Sequence, residues 1–176
     1  MSLSLQPAYL FWTKLSRLLV KASVEPENKW FFIESGFNVQ SLDRIGNFSI
    51  SENFVVMDDD RIVAYIEGFW KPSLRVLEHF RFILFDKSYS MNFMSILFDY
   101  INYLFQIRGC DVFNWSVAKE NLHALKLYKM ITKCCGGRQV GQYTRILKSY
   151  DGQISDSILF EMTKEDYQKY YNKENC

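Results

Sequence analysis

The stretch Asn121-Leu122-His123-Ala124-Leu125-Lys126-Leu127-Tyr128-Lys129 decides how this chain is read. Leu122, Leu125 and Tyr128 recur every third residue, so the segment belongs to an expected helix over 119–131. Before it, Asp111-Val112-Phe113-Asn114-Trp115-Ser116-Val117 is rich in β-branched and aromatic residues and predicts a strand. After it, Gly136-Gly137 breaks the chain. Segments 138–150 and 153–163 then read as two strands joined by Asp151-Gly152, a strong hairpin signal.

Working outward toward the N-terminus, Phe93, Ile96, Leu97, Tyr100, Ile101, Leu104 and Phe105 mark an amphipathic helix that stops at Arg108-Gly109. A polar loop, Asp86 to Asn92, precedes it, and 74–85 reads as a strand. Regular alternation puts Glu78, Phe80, Phe82 and Leu84 on one face of that strand and His79, Arg81, Ile83 and Phe85 on the other. Segments 53–57 and 61–70 form an expected antiparallel hairpin around Asp58-Asp59-Asp60. Pro7 to Ala22 reads as an amphipathic helix, 24–48 is ambiguous, and a short helix is expected from Lys164. The central strand–helix–strand implies a right-handed crossover and a parallel pair. The fold class is therefore α+β: a single mixed, mostly antiparallel sheet with flanking helices, in one domain over 1–176.

Composition narrows the classes of function. The chain has 176 residues, with 21 Lys and Arg against 20 Asp and Glu, a net charge of +1. That balance argues against a general nucleic-acid binder and against a polybasic membrane-surface protein. Fifteen Phe, 11 Tyr and 4 Trp predict a core of large rings. No signal peptide and no apolar run of membrane-spanning length is evident, and the four cysteines read as reduced, so a cytoplasmic protein is expected. No metal site is expected either. Histidines occur only at 79 and 123, and Asp58-Asp59-Asp60 lacks the glycine and distal glutamate of a calcium loop.

Asn121, Ala124, Leu127 and Tyr128 resemble the Asn-x-x-Ala-x-x-Leu-Tyr signature of the GNAT superfamily of acyl-CoA-dependent N-acetyltransferases. The resemblance covers roughly 53–163, including the strand before the signature and the hairpin after it. It implies acetyl-CoA as co-substrate, no metal, and a small-molecule primary amine as acceptor, an amino sugar or similar. By position, Lys87, Ser88, Tyr89, Ser90, Met91 and Asn92 occupy the family's pyrophosphate loop, with Ser88, Ser90 and Asn92 where glycines are common. Asn121 and Ala124 fall at cofactor-side positions of the signature. Tyr128 matches the tyrosine that gives a proton to the departing thiolate.

A base for the incoming amine is assigned by position to Glu78, with His79, Glu67 or a water chain as alternatives. Burial among Phe80 and Phe82 is expected to suit Glu78 to that task. The resemblance makes 1–50 the acceptor-side segment. Trp12, Trp30, Phe31, Phe32, Tyr143 and Tyr150 are its candidate aromatic wall. Two other readings stay open: an acyltransferase taking a longer acyl group or a carrier-protein donor, and a non-catalytic binding module. Exposed edges of the sheet allow a homodimer without requiring one.

Overall fold

The computed structural model describes residues 3–32, 52–149 and 151–174. Among the described residues, seven strands form one sheet: β1 (Leu3–Pro7), β2 (Phe54–Asp58), β3 (Arg61–Lys71), β4 (Val76–Leu84), β5 (Val112–Ala118), β6 (Arg138–Lys148) and β7 (Ile154–Thr163). Their order across the sheet is β1-β2-β3-β4-β5-β7-β6. Among these described strands only β4 and β5 pair in parallel; every other neighbouring pair is antiparallel. The α-helices are α1 (Trp12–Ser23), α2 (Ser90–Asn102), α3 (Leu122–Cys135) and α4 (Lys164–Glu174).

One element differs from expectation. The N-terminal segment opens with β1, not with a helix at Pro7. Leu3 and Leu5 alternate with Ser4 and Gln6, and β1 pairs with β2 from Leu3 opposite Asp58 to Pro7 opposite Phe54. Proline cannot donate to a ladder, so the strand ends at Pro7 and a 3-10 turn leads into α1. The ambiguous segment 24–48 is described only as far as Phe32, where a short 3-10 turn, Pro26–Asn28, is followed by buried Phe31 and Phe32. Its remainder lies outside the described residues, as do Tyr150 and Cys176.

The sheet separates two cores. Helices α2, α3 and α4, with the π-helical turn Tyr103–Arg108, cover one face, burying Phe93, Leu97, Tyr100, Phe105, Tyr128 and Tyr167 against Phe80, Phe113, Trp115 and Phe160. Helix α1 covers the other, where Leu15, Leu19 and Ala22 meet Val55, Ile62, Tyr65 and Ile83. Fully burying one such side chain stabilises the fold by about 1.5–3 kcal/mol. The expected aromatic core is thus realised mostly on the α2–α3 face.

Helix α3 stops at Gly136, which takes φ +87° and whose N–H returns to the Thr132 carbonyl. A Cβ there would stand 2.6 Å from the Asp166 carbonyl oxygen and 2.7 Å from the Tyr170 ring. Gly136→Ala therefore combines left-handed strain with a backbone clash against α4. It is expected to lower stability by about 2 kcal/mol or more in denaturant unfolding. A loss below about 0.5 kcal/mol would show that α4 yields freely.

Candidate donor and acceptor site

The site begins where two strands part. The β4–β5 ladder pairs Val76 with Val112, Leu77 with Phe113 and Phe80 with Trp115, then ends. Strand β4 runs on to Leu84 and β5 to Ala118. Beyond Trp115, Ser116, Val117 and Ala118 continue to pair with β7 on the far side. A wedge thus opens between the C-terminal halves of two parallel strands, and it exposes the ladder edges that β4 and β5 no longer give each other.

Tyr128 sits at this opening. Its ring centroid lies 6.5 Å from Phe80 and 6.1 Å from Phe82 on β4, and 6.1 Å from both Trp115 on β5 and Phe160 on β7. Helical spacing on α3 buries Tyr128 together with Ile131 and Cys135. Burial pushes the phenol pKa well up, and the Arg81 guanidinium pulls against that shift. The phenol therefore holds its proton at neutral pH. Asn121 is the N-cap of α3: its Oδ1 accepts the Ala124 N–H at 3.2 Å, which starts the helix whose second turn carries Tyr128.

The loop predicted to hold a diphosphate leads from β4 into α2. Lys87–Tyr89 is a 3-10 turn, and no side chain caps the first turn of α2. Ser88, Ser90, Met91 and Asn92 are exposed, whereas Tyr89 is buried. Asp86 accepts the Ser88 N–H at 3.0 Å and the Ser88 hydroxyl at 2.6 Å. Those two bonds and the neighbouring Arg61 hold the Asp86 carboxyl below the usual carboxylate range. Lys87 pairs with Glu27 at 2.6 Å. The Tyr89 and Ser90 N–H groups bond back to the Asp86 and Lys87 carbonyls, and Asp86 sets a negative charge at the entrance of the loop.

On the α1 face the opening is bordered by a polar cluster. Glu67 on β3 pairs with Arg81 directly opposite on β4. Tyr65 donates its hydroxyl to Glu67 at 3.0 Å. Arg81 also donates to the Phe31 carbonyl at 3.0 Å and lies over the Phe31 ring at 5.2 Å. Lys29 reaches the β6–β7 turn, 3.0 Å from Asp151 and 2.5 Å from the Gln153 side-chain oxygen. Bonds from Ser149 and Lys29 lower the Asp151 pKa to about 2. Lys29 thus joins the N-terminal segment to the last hairpin. Phe31 packs edge-on against Phe32 and Tyr65, whereas Tyr143 stands exposed on the edge strand β6.

The face expected for Glu78 is corrected. His79 takes φ +53°, and the β3–β4 register shifts between Glu67 and Phe69. Two residues of β4 bulge past Gly68, so Leu77 and Phe80 bury on the same face. Glu78 turns instead to the face of Arg81, away from Phe80 and Phe82. There it pairs with Lys71 at 2.6 Å, beside the part of β4 still laddered to β5. His79 is exposed. Glu67 lies one rung nearer the opening, opposite Arg81 and between the positions of Phe80 and Phe82.

Sequence reading missed Arg61, Arg81 and Lys29, whose partners are 25, 14 and 122 residues away. A basic residue directly across a hairpin from a glutamate was the only local signal, and it served Arg81 alone. Among the described residues no group of three or more His, Cys, Asp and Glu is gathered as metal ligands. No described helix is long and apolar enough to cross a membrane.

No family model matches this chain, and no curated protein sequence does. Solved structures do. A spermidine N-acetyltransferase from Vibrio cholerae, in complex with CoA and spermine, superposes with a TM-score of 0.74 at 19% identity, over 94% of this chain and 98% of that one. A chimera of the Vibrio cholerae spermidine N-acetyltransferase SpeG with hSSAT gives a TM-score of 0.75 at 19% identity, over 96% and 99%. The superpositions extend along nearly the whole length of both chains, and this chain has the GNAT fold of these acetyltransferases.

Proposed function

We propose that this protein transfers an acetyl group from acetyl-CoA to the primary amine of a small molecule, by direct attack within a ternary complex. The observation that carries this reading is Tyr128, fixed beside the point where the β4–β5 ladder ends. Freed ladder edges offer N–H and C=O groups to the amides of a pantetheine arm. The start of α2, which no side chain caps, presents the positive end of the helix dipole to the diphosphate. Lys87, Ser88, Tyr89, Ser90, Met91 and Asn92 are the cofactor-side loop in this reading, with Asn121 and Ala124 starting α3.

The amine nitrogen attacks the thioester carbonyl carbon, its proton leaves to a base, and the carbon–sulfur bond breaks. A backbone N–H at the freed β4 edge meets the developing oxyanion. Tyr128 gives its proton to the sulfur. Glu67 takes the base role ahead of Glu78, directly or through water, because it lies nearer the opening. The acceptor approaches between Phe31, Phe32 and the β6–β7 turn.

Acetyl-CoA incubated with a polyamine, an amino sugar and an aromatic amine tests this. Amine-dependent thiol release with intersecting initial-rate plots is expected for at least one class. Thiol release with parallel plots would indicate an acyl-enzyme instead of direct attack. Saturable CoA binding without transfer to any amine would favour the binding-module reading. Ser88, Ser90 and Asn92, where glycines are common, favour one further reading, a donor with weaker nucleotide contacts such as an acyl carrier protein. Transfer from an acyl carrier where acetyl-CoA fails would establish it.

A further inference from the structure

Helix α2 and its leading turn are tied to the β2–β3 hairpin by a continuous polar chain. Arg61 donates through one nitrogen to Asp86 Oδ2 at 2.8 Å and to the Tyr89 hydroxyl at 2.8 Å. Tyr89 donates onward to Asp58 Oδ2 at 2.5 Å. The Arg61 guanidinium also lies over the Tyr89 ring, 5.2 Å from its centroid. The other Asp86 oxygen holds both Ser88 groups. Every residue of the turn from Asp86 to Tyr89, apart from Lys87, is thereby engaged by a side-chain bond.

A loop without glycine has fewer backbone conformations open to it, and its own residues do not dictate which one it takes. An aspartate at the mouth of an anion site is also unfavourable unless a cation answers it. Arg61 meets both needs. We propose that Arg61 is a positioning residue of the donor site: through Asp86 and Tyr89 it fixes the loop ahead of α2, and its charge cancels the Asp86 carboxylate that would otherwise repel the diphosphate of CoA. This rests on the donor site argued under Proposed function. Arg61 touches no reacting atom; it acts through its two partners.

Calorimetric titration with CoA of the wild type, Arg61→Ala, Asp86→Asn and the double variant separates charge from structure. Arg61→Ala is expected to weaken CoA binding about tenfold. Asp86→Asn placed in the Arg61→Ala background is expected to recover most of that loss. The amide still caps Ser88, and the repelling charge is gone. A purely structural role predicts the reverse, because the second substitution removes another strong contact. Arg61→Ala binding like the wild type, or a double variant weaker than Arg61→Ala, overturns the proposal. Should Arg61→Ala fail to fold, Tyr89→Phe keeps the ring and loses both hydroxyl bonds. It is expected to weaken CoA binding about threefold, and wild-type affinity in that variant overturns the proposal. A wild type that binds no CoA overturns the donor site itself, a result distinct from any pattern among the variants.

Discussion

Replacing Tyr128 with phenylalanine is expected to lower amine acetylation about a hundredfold, the lower end of what a positioned proton donor supplies. Affinity for acetyl-CoA and the melting temperature should change little. The ring stays packed among Phe80, Phe82, Trp115 and Phe160, so only the oxygen is lost. Burial raises the phenol pKa, and the same low-dielectric surroundings raise the basicity of a thiolate expelled beside it. Donor and acceptor of the proton therefore shift together. Steady-state turnover alongside thermal unfolding checks this. Unchanged turnover would make Tyr128 a packing residue and return the thiolate's proton to solvent.

The largest stability effect is expected at a pair remote from the chemistry. Arg108, in a π-helical turn that follows α2, pairs with Glu52, whose side chain is only 6% exposed. Arg108 also lies over the Trp70 ring at 4.8 Å. Burial raises the Glu52 pKa, and Arg108 is the chief opposing influence. Arg108→Met keeps an apolar stem against Trp70 and leaves a buried carboxylate without its cation, at a cost of about 3 kcal/mol. The sign with pH follows from linkage. With a folded-state pKa above the unfolded one, the folded form holds the extra proton, so stability falls as pH rises through that window. Removing Arg108 raises the folded pKa further. The deficit of Arg108→Met should therefore be smallest near the ordinary carboxylate range and grow toward neutral pH. Urea midpoints measured from acid to neutral pH check this; a pH-independent deficit would show that Glu52 keeps another counter-charge.

Much of the architecture was legible because it is periodic. Leu122, Leu125 and Tyr128 declared α3, and Asn121 at its head is the cap that its residue type suggests. Asp151-Gly152 declared the last hairpin, with Gly152 at φ +83°. Strand β1 escaped because five residues ending in proline carry too short an alternation to stand apart from the helix that follows. The bulge at His79 escaped for a deeper reason. It lies opposite Gly68, on a different strand, where a Cβ would stand 3.0 Å from the Leu77 side chain. A face assignment by strict alternation therefore put Glu78 on the wrong side of the sheet. The ion pairs that shape the site, Arg61 with Asp86, Arg81 with Glu67 and Lys29 with Asp151, join distant segments, so their charges read locally as ordinary surface residues.

Hydrogen exchange with and without acetyl-CoA tests most directly whether the donor lies in the β4–β5 opening. Protection confined to backbone amides of 82–93 and 116–128, with the outer strands unchanged, is the predicted result. Protection absent from both segments, or confined to the α1 face, would contradict it.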